Sequence, residues 1–210
     1  MPLGSIEQHA YLSLGTDRIL SERVAVEAAE PLGVLVMPSL PYGITPYFAA
    51  YPGSPSLREE TYAALVCDLL DSLSAQGFCR FLFVNGHGGN VAARPAVEAW
   101  AAEHAGYRVR WHDWWAGERV RAIVDELDPG AAHASWHENY PWTRLAGVEL
   151  PAGRKELVRL ETREPRAVRE QLGDGMYGGF YERSDEDVLR VWAAGVEETR
   201  ALLAGDWRPA

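Results

Sequence analysis

Phe78-Cys79-Arg80-Phe81-Leu82-Phe83-Val84-Asn85-Gly86-His87-Gly88-Gly89-Asn90 is the stretch that decides how this chain folds. Residues 78–84 are an apolar, aromatic-rich run bounded by turn signals, the pattern of a buried strand. Residues 85–90 are a glycine-rich turn around one histidine. A helical pattern follows over residues 94–104, with Pro95 tolerable in its first turn. On the upstream side, Ser56-Leu57-Arg58-Glu59 spells a capping box that opens a helix running to about residue 76. Helix, strand, turn and helix therefore follow one another around a central apolar run.

The same alternation extends outward. Residues 3–6 read as a short first strand and residues 18–30 as a helix capped by Thr16 or Asp17. Residues 33–37, Gly-Val-Leu-Val-Met, read as a buried strand. Residues 38–55 form a loop rich in Pro, Gly, Tyr and Phe. A further strand is expected at 107–113 and a further helix at 118–127. Residues 185–203 are amphipathic, with Leu189, Trp192, Val196 and Leu203 on one face. Residues 146–184 lack periodicity and read as an irregular excursion or a lid. Alternating strands and helices imply an α/β fold: a mostly parallel central sheet with helices on both faces, in one domain over residues 1–210.

Composition narrows the function. The chain has 210 residues, 47% hydrophobic and 24% charged, which suits a soluble globular protein. Its net charge of -10 opposes a nucleic-acid partner, since phosphate binding needs a basic surface. Cys67 and Cys79 sit in apolar contexts and read as buried thiols rather than a disulfide framework. No apolar run approaches the ~20 residues of a membrane span, and residues 1–7 show no signal-peptide pattern. A cytoplasmic location is expected, with neither membrane nor nucleic acid as a partner.

In open α/β sheets, ligands bind outside the carboxyl ends of the strands. Glu7 and His9 follow the first strand directly, and His87 follows the strand at 78–84. All three fall on one sheet edge, with Asp17 close to it at the next helix start. In an extended segment, residues two apart point the same way, so Glu7 and His9 can serve one metal centre. Carboxylate with imidazole suits zinc, manganese or ferrous iron, and the lack of thiolate ligands opposes a structural zinc site. Taken alone, the turn around His87 fits a plain strand-to-helix connection equally well. His133 and Glu138, five residues apart, read as a loop entering a helix, with a separate task for each. Tyr42, Tyr47, Phe48 and Tyr51 either line a pocket or plug the loop. Neither G-x-G-x-x-G nor a P-loop pattern occurs, which opposes a nucleotide-binding reading.

Pro2-Leu3-Gly4-Ser5-Ile6-Glu7-Gln8-His9 with Leu14-Gly15-Thr16-Asp17 resembles the opening motif of the creatininase (creatinine amidohydrolase) family. Residues 41–43 and 51–54 resemble its substrate-side loop, residues 84–90 its signature turn, and residues 133–138 its late His and Glu. The resemblance is close over residues 1–140 and weak beyond. It implies a three-layer α/β/α sandwich and a dinuclear centre of two divalent metal ions. Zinc is the first choice there, with manganese or ferrous iron as alternatives. Carried over position by position, the ligands are Glu7, His9, Asp17, His87 and Glu138, with His133 catalytic beside them. On the substrate side it points to Tyr42, Ser54, Gly88 and Trp136. It also implies a homo-oligomer, as in the hexameric members.

The departures are specific. Ala10-Tyr11-Leu12 replaces the usual Gly-Pro-His, in a segment one residue shorter before Asp17. A glutamate two residues past the signature histidine is replaced by Gly89, and Glu-Thr-Ser by Glu138-Asn139-Tyr140. Family members carry a helix and a longer lead-in before the first strand, which implies an upstream start here or a trimmed edge. The resemblance therefore implies a metal-dependent amidohydrolase that cleaves a C–N bond of a small cyclic or linear amide other than creatinine, or a lactone. An inactive metal- or ligand-binding member is the alternative.

Overall fold

The computed structural model describes residues 1–207. In chain order its elements are β1 (Pro2–Leu3), α1 (Thr16–Ala29), α2 (Glu59–Ala75), β2 (Arg80–Asn85), α3 (Arg94–Glu103), β3 (Arg108–Asp113), α4 (Glu118–Leu127), β4 (Arg154–Lys155), α5 (Pro165–Leu172), β5 (Gly179–Phe180) and α6 (Asp185–Ala204). The main sheet is parallel, in the order β1-β2-β3. Pro2 pairs with Val84, and Arg80 through Asn85 pair with Arg108 through Asp113. β4 and β5 form a small antiparallel pair in the region without sequence periodicity.

Side-chain alternation along β2 builds the layers. Leu82 and Val84 face one side and pack with Leu20 and Val24 of α1, Val120 and Val124 of α4, and Val191 of α6. Phe81 and Phe83 face the other, against Tyr62 and Val66 of α2 and Val97 of α3. A sheet apolar on both faces must be covered on both, which gives the α/β/α sandwich that the sequence implied. Because the three strands of the main sheet are parallel, their carboxyl ends, at Leu3, Asn85 and Asp113, lie on one edge.

Several local expectations are corrected. Residues 33–37 are not a buried strand: Val34 and Leu35 are 43% and 65% exposed. β1 is two residues long, and its contact on that side is one parallel bridge, Leu3 to Leu40. An apolar run becomes a strand only where backbone partners continue the ladder. The capping box does not form either. Ser56 Oγ accepts from Thr45 N–H (3.0 Å) and donates to Leu57 O (3.1 Å), so α2 starts at Glu59 without a side-chain cap. Thr16 and Asp17 lie inside the first turn of α1, where Gly15 is the N-cap. Leu189 is exposed, and Val188 and Val191 take the buried face of α6 instead. Cys67 is half-buried and Cys79 exposed, so neither is the buried thiol expected, though both are free.

Candidate metal centre

The carboxyl edge of the sheet gathers the chemistry. Glu7 and His9 follow β1 in a segment without regular secondary structure and are buried. Asp17 enters from the first turn of α1, where the helix dipole favours a carboxylate. His87 follows β2. Its turn needs glycine at two points of close approach. A Cβ on Gly86 would fall 2.5 Å from Asp17 O, and one on Gly89 only 1.8 Å from Ile44 O. His133 and Glu138 arrive from the loop after α4 and a single 3-10 turn, Trp136–Glu138.

Three trios of ligand atoms form, each with all its atoms within 4.8 Å of one another: Glu7, Asp17 and His87; His9, Asp17 and Glu138; and Glu7, His9 and His133. Asp17 belongs to the first two. One of its oxygens lies 3.0 Å from His9 Nε2 and the other 3.0 Å from His87 Nδ1. His87 Nδ1 is also 3.2 Å from Glu7 Oε1, and His9 Nε2 is 3.8 Å from Glu138 Oε2.

The three histidines are oriented by one device. His9 Nδ1 donates to Glu7 O (3.0 Å), His87 Nε2 to Ile44 O (2.8 Å) and His133 Nε2 to Gln8 O (2.9 Å). A carbonyl only accepts, so each of these nitrogens carries the proton. In the neutral ring the other nitrogen then presents a lone pair to the carboxylates, the arrangement that orients metal-ligating histidines. Despite the short distances, the buried His9 Nε2 and Asp17 Oδ2 find no aligned hydrogen-bond partner among the described residues. Groups this buried need a partner, and a divalent cation between them fits this donor set.

Electrostatics agree with that fit. Burial disfavours charge on His9, but Asp17, Glu138 and Glu7 outweigh it and push its pKa up to about 10. His87 is raised well above the usual range because Glu7 and Asp17 overcome its burial. Burial would raise Glu7 and Asp17, yet His87 and His9 hold both below the usual carboxylate range. Two buried carboxylates and the partly buried Glu138 thus demand positive charge at this point.

The supporting contacts are polar and local. Thr45 Oγ1 donates to Glu7 Oε2, which leaves Glu7 Oε1 toward His87. Glu138 Oε2 accepts from Ala134 N–H (2.6 Å). Asn90 Nδ2 donates to Gly4 O (3.1 Å) and its Oδ1 accepts from Ile44 N–H (3.2 Å), tying three loops together. Ala10 and Ala134, each directly after a site histidine, have φ of 51° and 63°, conformations that disfavour a side chain.

A cavity of about 330 Å³ opens on the cluster. Phe48 and Tyr177 border it around His133, with ring centroids 4.9 and 5.7 Å from the imidazole. Of the residues the sequence assigned to substrate, Gly88 lines this cavity, whereas Tyr42, Ser54 and Trp136 do not. Tyr42 is 52% exposed, Ser54 is buried, and Trp136 is fully buried in the core. Sequence reasoning missed Thr45, Asn90, Arg121, His137 and Tyr177. Asn90, closing the glycine turn, and His137, inside the 133–138 stretch, stood within motifs that had drawn notice.

Comparison with known proteins follows this geometry. The family model described as Creatininase, creatinine amidohydrolase, matches residues 1–201. The mycofactocin precursor peptide peptidase of Mycolicibacterium smegmatis is 35% identical over 140 residues, 63% of this chain and 53% of that protein. The creatinine amidohydrolase of Pseudomonas putida is 33% identical over 93 residues, 41% of this chain and 36% of that one. The chain thus spans about half the length, or less, of these curated relatives. A solved creatininase mutant of Zn-Zn type superimposes with a TM-score of 0.77 at 21% identity, covering 99% of this chain and 90% of that one.

Proposed function

This chain belongs to the creatininase family, and on that footing we propose that it is a divalent-metal-dependent amidohydrolase acting on a small cyclic or linear amide. The observation that carries the reading is the pair of ligand trios sharing Asp17. Glu7, His87 and Asp17 would hold one ion, and His9, Glu138 and Asp17 the other. Zinc or manganese suits this mixed imidazole and carboxylate set. Such a pair supplies an activated water and polarises the substrate carbonyl.

The chain's own residues do the rest. His133 is fixed through Nε2 on Gln8 O, which leaves Nδ1 3.6 Å from Glu7 Oε1 beside the cluster. There Nδ1 can take up a proton from the activated water and pass it to the departing nitrogen, help worth ~100- to 10,000-fold. Phe48 and Tyr177 exclude water around it. Thr45 and Ala134 N–H hold Glu7 and Glu138 in their ligating orientations.

Gly89 favours a substrate other than creatinine. With Ile44 O against it, no side chain fits where the family's glutamate is expected. The likeness to a peptide peptidase supports a peptide-like or other linear amide. The test is elemental analysis joined to an amide screen. Two divalent ions per chain and amide hydrolysis abolished by chelation are expected. Full activity in metal-stripped protein would overturn the reading.

A further inference from the structure

Among the described residues that line the cavity, one carries a guanidinium or ammonium group: Arg121. It projects from the first turn of α4. Val120 and Val124 of that helix are 0% and 1% exposed in the core, which fixes the helix rotation and brings the Arg121 side toward the cavity. Its Nη2 donates to Asp125 Oδ1 (2.5 Å), and its remaining N–H groups have no hydrogen-bond acceptor among the described residues. The side chain is 42% exposed, so the free part of the fork is open to a ligand. Beside it on the wall is His137, buried and bonded through Nδ1 to Ser135 Oγ (2.8 Å).

This cation is out of keeping with its surroundings. The cavity floor holds Glu7, Asp17 and Glu138, and the chain carries a net charge of -10. A solvated helix pair would satisfy Arg121 anywhere on the surface, but here it borders the same cavity as the ligand cluster. A cavity of about 330 Å³ accommodates one small ligand. Such a ligand can present an amide to the cluster and a second group to Arg121. The guanidinium fork matches a carboxylate with two parallel hydrogen bonds.

We propose that the substrate carries a carboxylate apart from its scissile amide, and that Arg121 binds it. This rests on the amidohydrolase reading given above. Arg121 sets specificity and KM, while His133 and the ligand cluster serve the bond cleavage.

The test uses metal-loaded full-length protein and two probes of equal size, N-benzoylglycine and its neutral counterpart N-(2-oxopropyl)benzamide. Binding is measured by calorimetry and, where either is hydrolysed, KM and kcat separately. The acid is expected to bind at least about tenfold more tightly than the neutral amide, in line with a charge-assisted pair. Arg121→Gln should erase that ratio with metal content and melting temperature unchanged, and Arg121→Lys should retain part of it. An equal ratio in Arg121→Gln, which would mean that the metals bind the carboxylate, overturns the proposal. So does the lack of any preference for the acid in the unmodified protein, absence of binding included. Failure of the amidohydrolase reading looks different, as missing metal or no turnover with the binding ratio intact.

Discussion

Asn85 grips His87 from both ends of the residue: its Nδ2 donates to His87 O (2.8 Å) and its Oδ1 accepts from His87 N–H (3.2 Å). The same Nδ2 reaches Asp113 on β3 (2.7 Å). The last residue of β2 thereby transmits the position of the sheet to a ligand. Asn85→Ala is expected to weaken metal binding ~10- to 100-fold, as loss of outer support does elsewhere. It should also cost about 1–3 kcal/mol of stability through unpaired buried groups. Chelator competition and urea titration read the two effects. Unchanged metal affinity would refute this role.

Asp17 and Glu138 should differ in what they remove. Asp17 is common to both trios, so Asp17→Ala is expected to leave no tightly bound metal. Glu138 belongs to one trio, so Glu138→Ala should leave about one ion per chain. Elemental analysis after exhaustive dialysis separates the cases. Equal losses would contradict a shared Asp17.

His133 forms a third trio with Glu7 and His9 and lies outside the two that share Asp17. His133→Ala is expected to keep both ions and lower kcat ~100- to 10,000-fold. Loss of metal in this variant would make His133 a ligand instead.

Protons and metal compete for the same nitrogens. His9 is raised from 6.5 to about 10 in the metal-free fold, and His87 is also raised. Loading the metal-free protein at about pH 8 should therefore release protons, about one per chain from His9 and more to the extent that His87 also gives one up. Calorimetry in two buffers of different ionisation enthalpy counts them. The stability that His9 lends the metal-free fold is complete below its unfolded value of 6.5 and is lost as pH rises through about 10. Metal-free protein should accordingly melt at lower temperature as pH climbs across that window. A flat profile would mean that His9 is neutral there.

Ala10, at φ 51°, pays for a conformation that glycine adopts freely. Ala10→Gly is expected to stabilise the fold by about 1 kcal/mol and to raise Tm by about 2–4 °C. A fall in Tm would show that the Ala10 methyl packs usefully.

The sequence was most legible where one physical rule decides. β2 was readable because alternate residues must serve two cores, and the ligand edge because parallel strands end together. Residues 33–37 misled because apolarity alone does not supply a ladder partner. Ser56 misled because Thr45 N–H, eleven residues away in sequence, captures its hydroxyl. Tyr42 looked like a pocket residue, yet the buried face of that loop belongs to Phe48 and Tyr51. Arg121 was invisible because the Val120 and Val124 spacing tells which side of α4 is buried, not which side borders a cavity.

The ligands come from widely separated stretches, with Glu7, His9 and Asp17 near the start of the chain and Glu138 well past its middle. During synthesis the first three leave the ribosome long before the last. On the proposed ligand set, a nascent chain would carry one trio and an open half-site, unable to clamp a second ion until the loop after α4 has emerged and docked. Capture of the second ion would for this reason be a late event, one that registers completed folding rather than templating it.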